Sequence, residues 1–193
     1  MEVALRVPSV MTLKEFLAWD APAGTPWQLV DEEPQAMAPA SRTHGRIQAK
    51  LISLIDAHLT ARGSPCTIVG AHGVVPRVRS DSNFRIPDLA VTCSDYEREE
   101  LSLTDPVLLI EILSPSNRAE TWTNVWAYST IPSVQEILIV HSTAIRAEML
   151  RRDAAGNWPE LALTVDDGQL ELHSIDFSFD LPAIYQGTRL VQG

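Results

Sequence analysis

The sequence predicts a mixed α/β (α+β) fold: a central mixed sheet flanked by two or three helices, with an antiparallel, strand-rich C-terminal half. Three observations predict it. Ile47, Leu51, Leu54, Ile55, His58 and Leu59 recur at helical spacing, with Gly63 just past the end. Residues 86–92 and 107–113 are short continuous apolar runs bounded by polar turns, as buried strands are. Beyond residue 134 the chain is a series of short strand-like runs separated by Asp, Gly and Asn turns.

In chain order, Thr12 and Glu15 have the spacing of a capping box and open a helix to about Trp19. Residues 27–30 and 35–37 read as a hairpin around residues 31–33, although Pro34 weakens its second strand. Ser41 or Thr43 caps the long helix, which places His44 in its first turn. Residues 67–69, 74–78 and 86–92 read as strands, and 94–105 as a polar, acidic loop. After strand 107–113, residues 114–117 break the chain and cap a helix to about Tyr128, with Trp122 and Trp126 on its core stripe. Strands at 134–140, 144–150, 161–165 and 169–172 follow, the last two joined by a turn at 166–168. A short helix covers 181–185.

The 193 residues are long enough for one domain, residues 1–193, that buries about 70% of its unfolded surface. Cys66 and Cys93 form no motif and read as buried thiols in a reducing compartment. No stretch has the pattern of a leader peptide or a membrane span, so a cytoplasmic location is expected. The net charge of −10 argues against broad nucleic-acid binding. The positive charge is unevenly placed, however. Nine of the fifteen Lys and Arg residues lie between 42 and 118: Arg42, Arg46, Lys50, Arg62, Arg77, Arg79, Arg85, Arg98 and Arg118. A cleft can differ in potential from the whole chain, and the plainer reading makes these ordinary solvated side chains.

Two acidic residues stand where a sheet interior should be apolar: Asp88, at the entry to strand 86–92, and Glu111, in the middle of 107–113. A buried ionised carboxylate must be neutralised, paired or hydrated. Two on neighbouring strands repel unless something positive sits between them, and a divalent cation is the simplest candidate. The structural alternatives are that Asp88 only begins a strand and that Glu111 accepts backbone or arginine hydrogen bonds. His44 either faces this pair or is a half-exposed residue of a helix start. No Ser/His/Asp arrangement, glycine-rich phosphate loop or Cys/His cluster supports another class of enzyme.

The order of these pieces resembles the Uma-type restriction endonuclease family, a branch of the PD-(D/E)XK nuclease superfamily. The pieces are a helix led by His44, Gly45 and Arg46, then Pro87 with Asp88, then the run from Leu109 to Ser116 containing Glu111, then a helix ending at Tyr128 and a strand over 134–140. The resemblance implies a restriction-endonuclease-like core and a site at the ends of the central strands. It implies that Asp88, Glu111 and the Ile112 carbonyl bind Mg²⁺ or Mn²⁺, and that the substrate is DNA. A homodimer would cut both strands most simply. The chain departs from the pattern at the lysine. Leu113 stands two residues past the Glu, Asn124 stands at the displaced position on the following helix, Glu120 lies four residues before it, and Trp27 with Gln28 replaces a Tyr-Glu pair. Lys50 and Arg118 are the candidate replacement cations. The departures leave two functions open: a metal-dependent endonuclease, or a catalytically inactive relative that binds or assembles.

Overall fold

The structure, a computed structural model, describes residues 7–95, 100–115 and 117–191. The expected turn within 94–105 falls partly on residues outside this set, as do Arg98 and Ser116. Helix α1, Leu13–Leu17, starts with the predicted capping box: Thr12 Oγ1 accepts from the Glu15 amide and the Glu15 carboxylate accepts from the Thr12 amide. Strands β1 (Trp27–Val30) and β2 (Glu33–Ala36) form a hairpin. Its turn is tighter than expected, because Asp31 and Glu32 both adopt positive φ, 50° and 75°.

Helix α2 runs over Arg42–Ala61, capped by Ser41, whose hydroxyl accepts from the His44 amide. Its buried stripe is His44, Ile47, Leu51, Ile55 and Leu59. The main sheet follows: β3 (Thr67–Gly70), β4 (Leu89–Thr92), β5 (Pro106–Leu113), β6 (Glu136–His141), β7 (Ala147–Arg151) and β8 (Leu163–Val165), hydrogen-bonded in that order. Only β5 and β6 pair in parallel, and helix α3, Arg118–Tyr128, makes the crossover between them. Two short strands, β9 (Gln169–Leu172) and β10 (Phe177–Asp180), form a separate antiparallel pair. The chain then enters a 3-10 turn at Leu181–Tyr185.

Side-chain alternation along β5 sorts the core into two layers. Leu108, Ile110 and Ile112 pack on the α2 side with Ile47, Leu51 and Ile55. Leu109 and Leu113 pack on the other side with Val125 and Tyr128 of α3. Glu111 has the parity of Leu109 and Leu113, so it emerges beneath α3. A third cluster joins α1 and β1 to Phe84 and Ile86. Gly73 lies so close to this cluster that a Cβ there would fall 1.8 Å from the Phe84 ring.

Four sequence expectations are corrected. Residues 74–78 make only an isolated bridge, Val74 to Arg85; Pro76 cannot donate to a ladder, and the Arg77 and Val78 amides turn instead to the Thr130 hydroxyl. β9 pairs with β10 and not with β8, so the meander ends at β8. Trp126 is 61% exposed, since Val125 and Tyr128 set the buried face of α3; Trp122 does pack against the core. Cys66 and Cys93 are joined in a disulfide and are not free thiols. Thr67 pairs with Thr92, so the two cysteines face each other one step beyond, a register that spacing alone does not reveal.

The disulfide spans 27 residues of sequence. Chain-entropy arguments give such a closure about 3 to 4 kcal/mol of stability. Denaturant unfolding with and without reductant is expected to differ by that amount, and coincident transitions would mean that the bond does not form in solution.

Candidate active site

β4 runs antiparallel to β5, with Leu89 opposite Ile110. One step back along the same register, Asp88 comes beside Glu111. Asp88 is held at both carboxylate oxygens: Oδ2 accepts from the Ile112 amide at 2.7 Å, and Oδ1 lies 2.8 Å from His44 Nε2. The Asp88 carbonyl accepts from Gln48 Nε2, one helical turn beyond His44. The start of α2 thus clamps the start of β4.

Glu111 is buried and gathers its donors at one oxygen. Tyr128 Oη donates to Oε1 at 2.8 Å and Asn124 Nδ2 donates to the same atom at 3.4 Å. Among the described residues nothing donates to Oε2. Burial, and then the adjacent Asp88, push the Glu111 carboxyl well above the usual carboxylate range, against the pull of Tyr128 and Asn124. The Tyr128 hydroxyl is raised well above its ordinary value by burial and by Glu111, so it stays a neutral donor.

The site also holds Arg85, one of the nine basic residues between 42 and 118. Arg85 is 3% exposed. Its Nη1 donates to Asn124 Oδ1 at 3.0 Å and its Nη2 to Asn83 Oδ1 at 2.8 Å, while Nε has no partner. Arg85 therefore connects through Asn124 to Glu111. Burial lowers its pKa, and Tyr128, Asp31 and Glu120 oppose that. The available signal was the position of a guanidinium between Phe84 and Ile86, in an apolar run three residues before Asp88.

The structure thus brings His44, Asp88, Glu111 and Asn124 into one cluster. Glu120 lies at its edge: its carboxylate accepts from Gln28 Nε2 at 2.6 Å and reaches Glu111 only through space. Gln28 is fully buried, with Oε1 unpartnered. Leu113, at the expected lysine position, is packed in the α3-side core. Lys50 is half-buried and Arg118 exposed, and neither has a described hydrogen bond or ion pair with either carboxylate. The Ile112 carbonyl accepts weakly from Asn117 Nδ2 at 3.4 Å.

Among the described residues no three His, Cys, Asp or Glu side chains form a ready-made cage. The oxygen donors still suit a hard divalent ion that keeps several waters and uses one or two carboxylates. Two carboxylates lie close together, Asp88 raises the cost of ionising Glu111, and Glu111 keeps an uncommitted oxygen.

The Uma2 family, described as "Putative restriction endonuclease", matches residues 13–183, and the chain belongs to that family. It is 31% identical over 176 residues to "Uncharacterized protein slr1290" of Synechocystis sp., covering 90% of each chain. The crystal structure of a putative nuclease belonging to DUF820 from Anabaena variabilis superposes with a TM-score of 0.73, over 91% of this chain and 97% of that one. At 15% identity that likeness concerns the fold. No helix among the described residues is long and apolar enough to cross a membrane.

Proposed function

We propose that the protein is a divalent-metal-dependent endonuclease that hydrolyses DNA phosphodiester bonds at Asp88 and Glu111. The observation that carries this reading is the side-by-side placement of the two carboxylates, one just before β4 and one in β5, with His44 and the Ile112 amide fixing the first and Tyr128 and Asn124 fixing the second. Asp88, the free oxygen of Glu111 and the Ile112 carbonyl would hold the ion. Bound Mg²⁺ or Mn²⁺ would polarise a phosphodiester oxygen and acidify the attacking water. Asn124 orients Glu111, and Arg85 supplies, through Asn124, the positive charge that a lysine would otherwise bring. Action on both strands of a duplex would follow from a two-fold dimer.

Plasmid and oligonucleotide substrates incubated with Mg²⁺ or Mn²⁺ test this directly. Cleavage that disappears in Asp88→Ala supports it; no cleavage, or cleavage unchanged in the variant, refutes it. Arg85→Met is expected to slow cleavage by about a hundredfold, the scale for losing one preorganised charged donor, with partial recovery in Arg85→Lys. The same substitution leaves Asn124 Oδ1 without its described donor and should cost about 1 to 3 kcal/mol of stability. Rates are therefore compared at a temperature where thermal melts show all forms folded.

A second reading, a nuclease fold that binds or assembles without cutting, is favoured by one observation. The groups that donate to Glu111 among the described residues are the Tyr128 hydroxyl and the Asn124 amide, neither of which carries charge. Calorimetric titration with Mg²⁺ and Mn²⁺ separates the two, because a degenerate site takes up neither ion.

A further inference from the structure

A cavity of about 850 Å³ opens on the outer side of the first turns of α2, between that helix and residues 187–189. Arg42 and Arg46, one turn apart, come from the helix; Arg189 comes from the C-terminal segment. The hydroxyls of Ser41, Thr43 and Thr188 complete its polar lining, and no acidic residue contributes. In a chain with 25 acidic and 15 basic residues, such a concavity is unexpected. Arg62, Arg79, Arg146 and Arg151 are each paired with a carboxylate, whereas these three arginines have no ion pair with a described residue.

One of them is held ready. Arg46 Nε donates to the Gln186 carbonyl, and the guanidinium lies over the bare Cα of Gly187, where a Cβ would come within 3.0 Å of Nη2. Its remaining N–H groups stay open to a ligand. The cavity is too large for a single ion and suits a run of anionic groups.

We infer that this three-arginine cleft seats the phosphodiester backbone of duplex DNA next to the cutting site; the choice of polymer rests on the nuclease reading above. His44 projects from the opposite side of the same helical turn toward Asp88. The cleft and the carboxylates are therefore about one helix diameter apart, on the order of 10 Å. At roughly 3.4 Å of duplex axis per phosphate of one strand, that is about three nucleotides. The acidic remainder of the surface repels the polymer elsewhere, so the cleft sets where it lies.

Anisotropy of a labelled 20-bp duplex, in EDTA and between about 50 and 200 mM salt, tests the inference. Arg42→Gln/Arg189→Gln should bind two unrelated sequences equally more weakly, and the log-log salt slope should fall by about 2, close to one for each phosphate that the variant no longer neutralises. Arg42→Lys/Arg189→Lys should retain most of the slope, and thermal melts should match wild type, since neither arginine has a described partner. Unchanged affinity and slope in the Gln variant, no binding by wild type, or displacement by polyglutamate as effective as by unlabelled duplex would each overturn the cleft assignment. Asp88→Ala is assayed in parallel. Arginine-dependent binding without cleavage by wild type removes the nuclease reading and leaves the cleft; cleavage by wild type and by the Gln variant alike does the reverse.

Discussion

Glu111→Gln is expected to reduce cleavage by about 10² to 10³ fold, the range for removing one preorganised group from a charge-stabilising site. The same change should stabilise the metal-free protein at alkaline pH. The folded-state pKa of Glu111 is raised well above the ordinary value of 4.5. A raised folded pKa means that the folded state binds the proton more tightly than the unfolded state does. Its stabilising contribution is complete below the unfolded value and is lost as pH rises through the folded value. In EDTA the melting temperature of wild type should therefore fall as pH climbs above the ordinary carboxylate range, and the variant should lack this component. Adding Mg²⁺ should raise the wild-type melting temperature at pH 8 and leave the variant unmoved, because only a cation bound by the folded state stabilises it. Equal responses of the two forms to metal would remove Glu111 from the ion site.

The largest expected loss of stability lies far from the carboxylate pair. Glu136, at the start of β6, is fully buried, and its carboxylate accepts from Arg151 Nε, from the His173 and Ser174 amides and from the Ser174 hydroxyl. It ties the main sheet to the turn between β9 and β10. Glu136→Ala leaves the guanidinium without its anion and two amides without an acceptor, a change that typically costs about 3 to 5 kcal/mol. For a chain of this length that corresponds to roughly 10 °C or more in melting temperature. Glu136→Gln keeps the shape and one acceptor and should lose less. A melt within a degree or two of wild type for the alanine variant would show that the network contributes little.

The sequence carried more of the fold than of the site's wiring. Local chemistry decided α1 through Thr12 and Glu15, α2 through its apolar stripe and Ser41, and β5 through its unbroken Val, Leu and Ile. The same apolar context exposed Asp88 and Glu111. What was not legible depends on register and long-range packing. The Cys66–Cys93 bond needs the β3–β4 pairing, and the partner of β9 needs the position of β10. The buried role of Arg85 depends on Asn124, 39 residues away, whose carbonyl oxygen accepts its proton. Polar periodicity gave no hint that Glu120 would take its hydrogen bond from Gln28, across 92 residues.

The amide that donates to Asp88 belongs to the residue immediately after Glu111. The gap between the two acids is thereby set by a single rung of backbone, not by the loops on either side. Lengthening the turns around residues 80 or 103 should leave that spacing alone. Inserting one residue between Asp88 and Leu89 would shift the first carboxylate out of register with the Ile112 amide and dismantle the pair at a stroke.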